Sequence, residues 1–548
     1  MKYVIGIDFG TLSARGVLIQ SDGGREVAVA DSVYRHGVID KSLPNGRVLP
    51  PDFALQHPCD YIEALTDVIS KLLSESGVFA DAVVGLGIDF TSSTILPIDK
   101  DGNPLCTHAE FEDEPHAYVK LWKHHGALNE ADEITALAEK RGESWLSLYG
   151  GKVSCEWALP KVLETARKAP RVYSAAHRFI EAGDWISLLL SGEETRSVSF
   201  AGYKWLWNAG CGYPCNEFFT ELDPILDGFI GEKVPREVAP MNARAGRISK
   251  RGAALTGLLE GTAISIPIID AHAPITALNM TRSGDMILVL GTSGCYMLNS
   301  KDGRGIEGIA GCVYDSVIPG LYTYEAGQSS VGDTLDWFVK NAVPKGYYDE
   351  AEARGIGIHS LLTEKAELLA PGESGLISLD WFNGNRSVLT DFDLSGAILG
   401  LDLHTRPEEI YRAIIEGIAF GTRIILEQYE NHGIAVGRVA ATGGIAKKNP
   451  MMMQIYADVF NREITVRCAD EMGARGAAIY AAVAADCYSD VEAAAYAFDS
   501  LPALTYKPIG KNAEIYEELY TLYRELHDRF GKESELMHKL RKIKHRGK

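Results

Sequence analysis

No apolar run in this 548-residue chain approaches the ~20 residues that a membrane-spanning helix requires. The first residues enter an apolar strand at once, without the basic and apolar segments of a secretory leader. Membrane association and export are therefore not expected, and the chain reads as cytoplasmic. Cysteine is sparse and unpatterned: nine residues lie scattered at 59, 106, 155, 211, 215, 295, 312, 468 and 487, with no Cys-x-x-Cys pair. Cys211 and Cys215 are close in sequence but lack a second pair or a nearby histidine, so neither a disulfide framework nor a zinc site is indicated. Basic charge is also in deficit. A formal net charge of −20 argues against a general nucleic-acid binder, although lysine, a metal ion and backbone amides can still capture an anionic ligand locally. With 46% hydrophobic and 23% charged residues the composition is ordinary, and 548 residues exceed what one core takes. Two or more domains are expected.

What the chain does contain is a pair of small-residue turns between apolar strands. Residues 4–9 run into Gly10-Thr11-Leu12-Ser13 and out again through 14–19, which reads as a β-hairpin with one carboxylate, Asp8, at the strand end. Gly10, Thr11 and Ser13 keep the turn slim enough for backbone N–H groups to reach phosphate oxygens, and Asp8 can hold Mg²⁺ directly or through water. Residues 286–298 repeat the plan around Gly291, Thr292 and Ser293. Either turn alone could be an ordinary connection between strands; as a pair they suggest two related domains facing one nucleotide.

Other segments organise the rest. Residues 82–90 form a buried-strand pattern that passes through Thr91-Ser92 into a second strand, whereas 60–76, 114–141 and 156–168 have helical spacing. The stretch 196–245 is irregular and rich in Gly, Pro and Trp, as an inserted substrate lobe would be, and its Tyr203, Trp205 and Trp207 suit either sugar stacking or the lobe's own core. The strand 264–270 ends on Asp270, which is either a catalytic base at a cleft or the cap of a following helix. In the second half, 406–431 reads as one long helix, and 438–442 as a strand ending in Gly443-Gly444. Asn449-Pro450 then opens a helix over 451–460, whose methionine triplet suits core packing better than a soft binding surface. A small-residue helix over 473–485 follows. The closing helix places Ile515, Leu519, Leu522, Leu526 and Phe530 on its buried face and ends in a basic run, 539–546, that reads as a solvated terminus.

The combination Asp8-Phe9-Gly10-Thr11, Gly291-Thr292-Ser293 and Thr442-Gly443-Gly444 resembles the superfamily of actin-like ATPases, sugar kinases and heat-shock chaperones, and within it the FGGY carbohydrate kinases. Residues 396–401 with 409–416 look like that family's second signature, and Gly443-Gly444 with Asn449, Gln454 and Asp458 look like its adenosine segment. Xylulose and glycerol kinases usually carry glutamine and histidine after the early strand, where this chain has Thr91-Ser92-Ser93-Thr94. That variant, with 151–161, 325–333 and 380–387, resembles the bacterial L-ribulokinase branch.

The resemblance implies an α/β fold of two actin-like (ribonuclease H-like) domains around a cleft. Residues 1–274 would be mainly sugar-binding, and 275–548 mainly nucleotide-binding with a helical tail from about 510. It implies ATP and Mg²⁺ as cofactors, and phosphorylation of L-ribulose to L-ribulose 5-phosphate in arabinose catabolism. Asp270 would be the base; Ser92 through its amide, Lys204, Asp270 and Glu325 would hold the ketopentose. Gly10, Thr11, Ser13, Gly291, Thr292, Ser293, Gly443, Gly444 and Asn449 would hold the nucleotide, with the metal at Asp8. His272 reads as a packing or supporting residue. D-ribulose or a pentitol are rival acceptors, and an actin- or chaperone-like ATPase is the rival class, disfavoured by the 196–245 insertion. Neither nucleic acid nor membrane is an expected partner; a homo-oligomer is compatible with the sequence but not specified by it.

Overall fold

Strands Tyr3–Phe9 and Ser13–Gln20 pair antiparallel, Tyr3 with Gln20 through Phe9 with Ala14, and Gly10 N–H closes the turn on the Ser13 carbonyl at 3.0 Å. In this computed structural model all residues are described except 235, 236, 468, 547 and 548. Cys468 therefore lies outside the described residues, and the other eight cysteines are all free. The first sheet runs in the order Glu26–Val33, Ser13–Gln20, Tyr3–Phe9, Val83–Phe90, Ala263–Ser265, Arg244–Arg247, with Ile268–Ile269 also paired to Val83–Phe90. The second runs Gly311–Tyr314, Tyr322–Gln328, Gly294–Ser300, Met286–Leu290, Val439–Thr442, Ile464–Val466, Leu504–Tyr506. Each sheet has a run of antiparallel strands whose first strand in sequence pairs in parallel with a later one, Tyr3–Phe9 with Val83–Phe90 and Met286–Leu290 with Val439–Thr442. The two turns singled out in the sequence thus occupy equivalent places in two sheets of one plan.

Glycine explains how a helix reaches the first sheet. A β-carbon on Gly6 would lie 1.8 Å from the Ala474 carbonyl oxygen, and one on Gly87 1.9 Å from that of Ala477. Only bare backbone lets the small-residue helix Met472–Ala484 lie this close, and its Ala474, Ala478 and Ile479 join Val4, Ile5 and Ile7 in one core. Residues from both ends of the chain therefore share the first core. The second core gathers around the long helix Pro407–Asn431, started by Pro407 and by Glu409, whose carboxylate accepts the Arg406 N–H at 2.6 Å. Met451, Met452 and Met453 are buried in that core, as core packing requires. A third core, with Trp145, Trp157, Trp205, Phe218 and Phe229, underlies the lobe carrying the small sheet Leu55–Gln56, Val119–Lys120, Ile95–Ile98, Arg178–Glu181. Tyr203 and Trp205 are fully buried, so these two rings serve packing and not sugar stacking. Among the described residues no helix is long and apolar enough to cross a membrane.

Two elements depart from the sequence pattern. The helix expected over 114–141 spans only Leu128–Arg141, because Val119–Lys120 joins the small sheet and buries the Lys120 ammonium against Glu164 at 2.6 Å. The closing helix Gly510–Asp528 buries Tyr516, Tyr520, Tyr523 and His527, while Leu522 is 50% exposed. Its tyrosine hydroxyls help to set the face: they donate to Glu416, Glu427 and Asp380 at 2.8, 2.7 and 2.6 Å, adding to the bonds these carboxylates accept from Arg412, Arg423 and Gln328.

Candidate active site

Three carboxylates leave the C-terminal ends of adjacent strands. Asp8 and Asp89 are register partners in the parallel pair, Ile269 pairs with Phe90, and the next amide, of Asp270, donates to the Phe90 carbonyl at 2.9 Å. Carboxyl ends of parallel strands are where α/β sheets collect ligands. Both Asp89 oxygens are buried without a hydrogen-bond donor. Burial, then the facing Asp8 charge, hold the Asp89 carboxyl far above the usual range. Burial also raises Asp8, although Arg15 lies 3.9 Å away. Burial and the Asp8 charge push Asp270 up to about 7. Glu471 is likewise pushed up to about 7, by burial against the pull of Arg15. Desolvated carboxylates that lack donors and repel one another are a donor set for a hard divalent cation, so Asp8 and Asp89 fit Mg²⁺.

The alternative role for Asp270, a helix cap, does not hold. Its carboxylate accepts the N–H of the next residue, Ala271, at 2.7 Å, and the short helix that follows, Pro274–Ala277, has no side-chain cap.

A second cluster adjoins the first. Lys204, the last residue of helix Val198–Lys204, approaches both oxygens of Glu325 at 3.4 Å, and Arg386 donates to Glu325 at 2.9 Å. His272 Nε2 donates to the same carboxylate at 3.1 Å, and its ring meets Tyr203 edge-on at 4.6 Å. Burial opposes ionisation of Glu325, but Lys204, His272 and Arg386 together hold its carboxyl well below the usual range. Burial keeps His272 neutral. Lys204 acts electrostatically on Asp270 as well, which links the two clusters. The turn carrying Ser92 starts after Phe90, beside Asp270.

The glycine turns lie as their strands dictate. Gly291 N–H meets the Ser293 carbonyl at 3.1 Å, and the Thr292 carbonyl accepts the Val331 N–H at 2.8 Å. Thr11 is held by Gln56, which donates to its carbonyl at 2.8 Å, and by the Trp122 indole, which donates to its hydroxyl at 3.1 Å. Val289 pairs with Thr442, so the 291–293 turn and Gly443-Gly444 sit side by side. Gly443 has φ 99°, and a β-carbon there would lie 2.4 Å from the Leu290 carbonyl oxygen; glycine is required on both counts. Asn449 caps helix Pro450–Phe460 by accepting the Met452 N–H at 2.9 Å.

Asp89, Glu471 and Arg386 were not among the expected site residues. Asp89 had a readable signal, since Gly87-Ile88-Asp89-Phe90 repeats Gly6-Ile7-Asp8-Phe9.

The N-terminal domain of the FGGY family of carbohydrate kinases matches residues 3–275, and the C-terminal domain of that family matches 286–485. The ribulokinase of Bacillus licheniformis is 46% identical over 97% of this chain and 98% of its own length. The ribulokinase of Staphylococcus aureus strain Newman is 40% identical over the whole of both chains. Among solved structures, xylulose kinase from Rhodospirillum rubrum aligns with a TM-score of 0.79 at 23% identity, covering 96% of this chain and 98% of its own. Glycerol kinase from Plasmodium falciparum with ADP aligns at 0.73 and 16%, covering 96% and 98%. The structural matches establish the two-sheet α/β fold.

Proposed function

The chain belongs to the FGGY family of carbohydrate kinases, and from that premise we propose that it is an ATP-dependent ribulose kinase. L-ribulose is the acceptor and L-ribulose 5-phosphate the product, made in the cytoplasm during arabinose breakdown. The observation that carries the choice of sugar is the near full-length identity to ribulokinases.

Phosphoryl transfer asks the protein for positioning and charge more than for covalent chemistry. Asp270 takes the proton of the 5-hydroxyl as its oxygen forms a bond to the γ-phosphorus and the bond to the ADP oxygen breaks. A buried carboxyl raised to about 7 is poised for that transfer near neutral pH. Glu325, kept anionic by its three cationic or N–H partners, accepts hydrogen bonds from sugar hydroxyls in fixed directions, while Lys204 and the Ser92 amide donate. A site that bonds each hydroxyl rejects analogues lacking one. The turns at Gly10, Thr11 and Ser13, at Gly291, Thr292 and Ser293, and at Gly443-Gly444 offer backbone N–H groups to the nucleotide, with Asn449 fixing the adjoining helix. Asp8 and Asp89 would hold Mg²⁺, which when bound would supply charge neutralisation at the phosphates. In this reading residues 1–274 chiefly serve the sugar and 275–548 chiefly the nucleotide.

A coupled ADP-release assay over L-ribulose, D-ribulose, xylulose, pentitols and glycerol tests the proposal. L-ribulose is expected to give the highest kcat/KM; preference for glycerol or xylulose would overturn the reading.

A further inference from the structure

Lys161 and Glu181 are fully buried charged side chains that touch none of the groups assigned above to proton transfer, metal or phosphate. Both converge on one turn. Lys161 Nζ donates to the Ser93 carbonyl at 2.7 Å and to the Leu121 carbonyl at 2.8 Å. Glu181 Oε2 accepts the Thr94 N–H at 3.1 Å, and the adjacent amide, of Ala182, donates to the Thr94 carbonyl at 2.8 Å. The turn so gripped is the one that presents Ser92, and its Ser93 holds φ 53°, a left-handed conformation that a residue with a side chain keeps only when its surroundings impose it. The other oxygen of Glu181 accepts the indole N–H of Trp205 at 2.8 Å. Trp205 directly follows Lys204. One buried carboxylate therefore ties the Ser92 turn to the residue beside the lysine on Glu325.

We propose that Lys161 and Glu181 are positioning residues that lock the Ser92 turn and Lys204 into one rigid sugar-recognising unit, setting the affinity and selectivity for ribulose without touching it. The inference rests on the ribulose-kinase reading above. The physical reason is economy of buried donors and acceptors: the Ser93 carbonyl and Thr94 N–H are bonded to Lys161 and Glu181, and without the two charged side chains they would be buried unpaired or the turn would rotate to find partners. Rotation carries the Ser92 amide with it. A misplacement on the order of 1 Å costs about 10²-fold when it disturbs substrate alignment.

Glu181→Gln keeps the size but turns an N–H donor toward one of two existing donors. It should lower kcat/KM for ribulose by about 10–100-fold, mostly through KM, while KM for ATP stays within about two-fold. Trp205→Phe, which keeps an aromatic ring in the core but removes the indole donor and some buried volume, should shift the ribulose KM in the same direction by a smaller factor. In both, the ratio of kcat/KM for ribulose over xylulose should fall. A purely structural role predicts instead that ATP and ribulose parameters decline together, or that only the melting temperature moves; either result in a folded variant overturns the proposal. Hydrogen exchange on the unaltered protein provides a test that needs no variant. The Thr94 amide should be as protected as the strand Val83–Phe90 before any sugar is added, and rapid exchange there would refute the clamp. Failure of the unaltered protein to phosphorylate ribulose would count against the functional reading alone, because the exchange result does not depend on it.

Discussion

Asp270→Asn isolates the charge of the base from its shape. The amide oxygen of asparagine can still accept the Ala271 N–H that the carboxylate now accepts at 2.7 Å, so the local backbone has no reason to move. What disappears is the group that receives the hydroxyl proton. A positioned general base contributes ~10²–10⁴-fold, and kcat at saturating ribulose and ATP should fall by about that factor, with little change in ATP binding. The structure adds a pH signature. The base works deprotonated, so with its carboxyl raised to about 7 the rate should rise with pH. At pH 6 roughly one-tenth of the molecules would carry the active form. A bound cation can only lower that midpoint, and because Asp8, Asp89, Asp270 and Glu471 interact, the profile reports the cluster as a whole. The assay is initial velocity from pH 5 to 9 for both proteins, with His272→Ala as comparison. His272 acts through its bond to Glu325, so its loss should raise the ribulose KM more than it lowers kcat. A variant Asp270→Asn that keeps kcat within a few-fold, or that shows the same rising limb, would refute the assignment of the base.

Asp89→Asn should weaken Mg²⁺ binding measured by calorimetry, and Asp8→Ala should impair Mg²⁺-dependent turnover far more than sugar binding; equal loss of both in a folded protein would argue against a metal role. Lys204→Met removes one of three partners from a buried carboxylate and should raise the ribulose KM by about 10-fold or more, leaving the ATP KM nearly unchanged, as steady-state kinetics can check. The metal-free protein should lose thermal stability as pH rises from about 5 to about 8. Asp270 and Glu471 are raised to about 7, so their contribution is complete below the ordinary carboxylate range and is lost as pH passes through about 7, and Asp89, raised chiefly by burial, acts in the same direction. Mg²⁺ should reverse the loss and release protons on binding; a melting temperature indifferent to both would contradict the cluster's electrostatics.

Local pattern carried the glycine turns, the long helix and the strand ending at Asp270, because alternation and small-residue turns are decided within a few residues. The Glu325 cluster was legible only in part. Its partners come from positions 204, 272 and 386, and nothing within any one segment announces that they meet on one carboxylate. Asp89 is the harder case although its tetrapeptide duplicates that of Asp8; a buried strand with a terminal aspartate looks like a fold element until the parallel register places the two carboxyls side by side. The closing helix keeps its expected face in part: Leu519, Leu526 and Phe530 pack against the second core, and Leu522 does not. Leu522 has the aliphatic spacing, but the carboxylates of Glu416, Glu427 and Asp380 draw Tyr516, Tyr520 and Tyr523 inward, an influence that reaches the helix only through tertiary packing.

Transfer of the γ-phosphoryl group to the 5-hydroxyl of ribulose can be followed in the ³¹P spectrum of a reaction with ATP, Mg²⁺ and L-ribulose labelled with ¹³C at the fifth carbon. A new phosphomonoester signal split by the labelled carbon, growing in step with ADP, is the predicted result. Inorganic phosphate and ADP without that signal, or a monoester uncoupled from the label, would contradict the account.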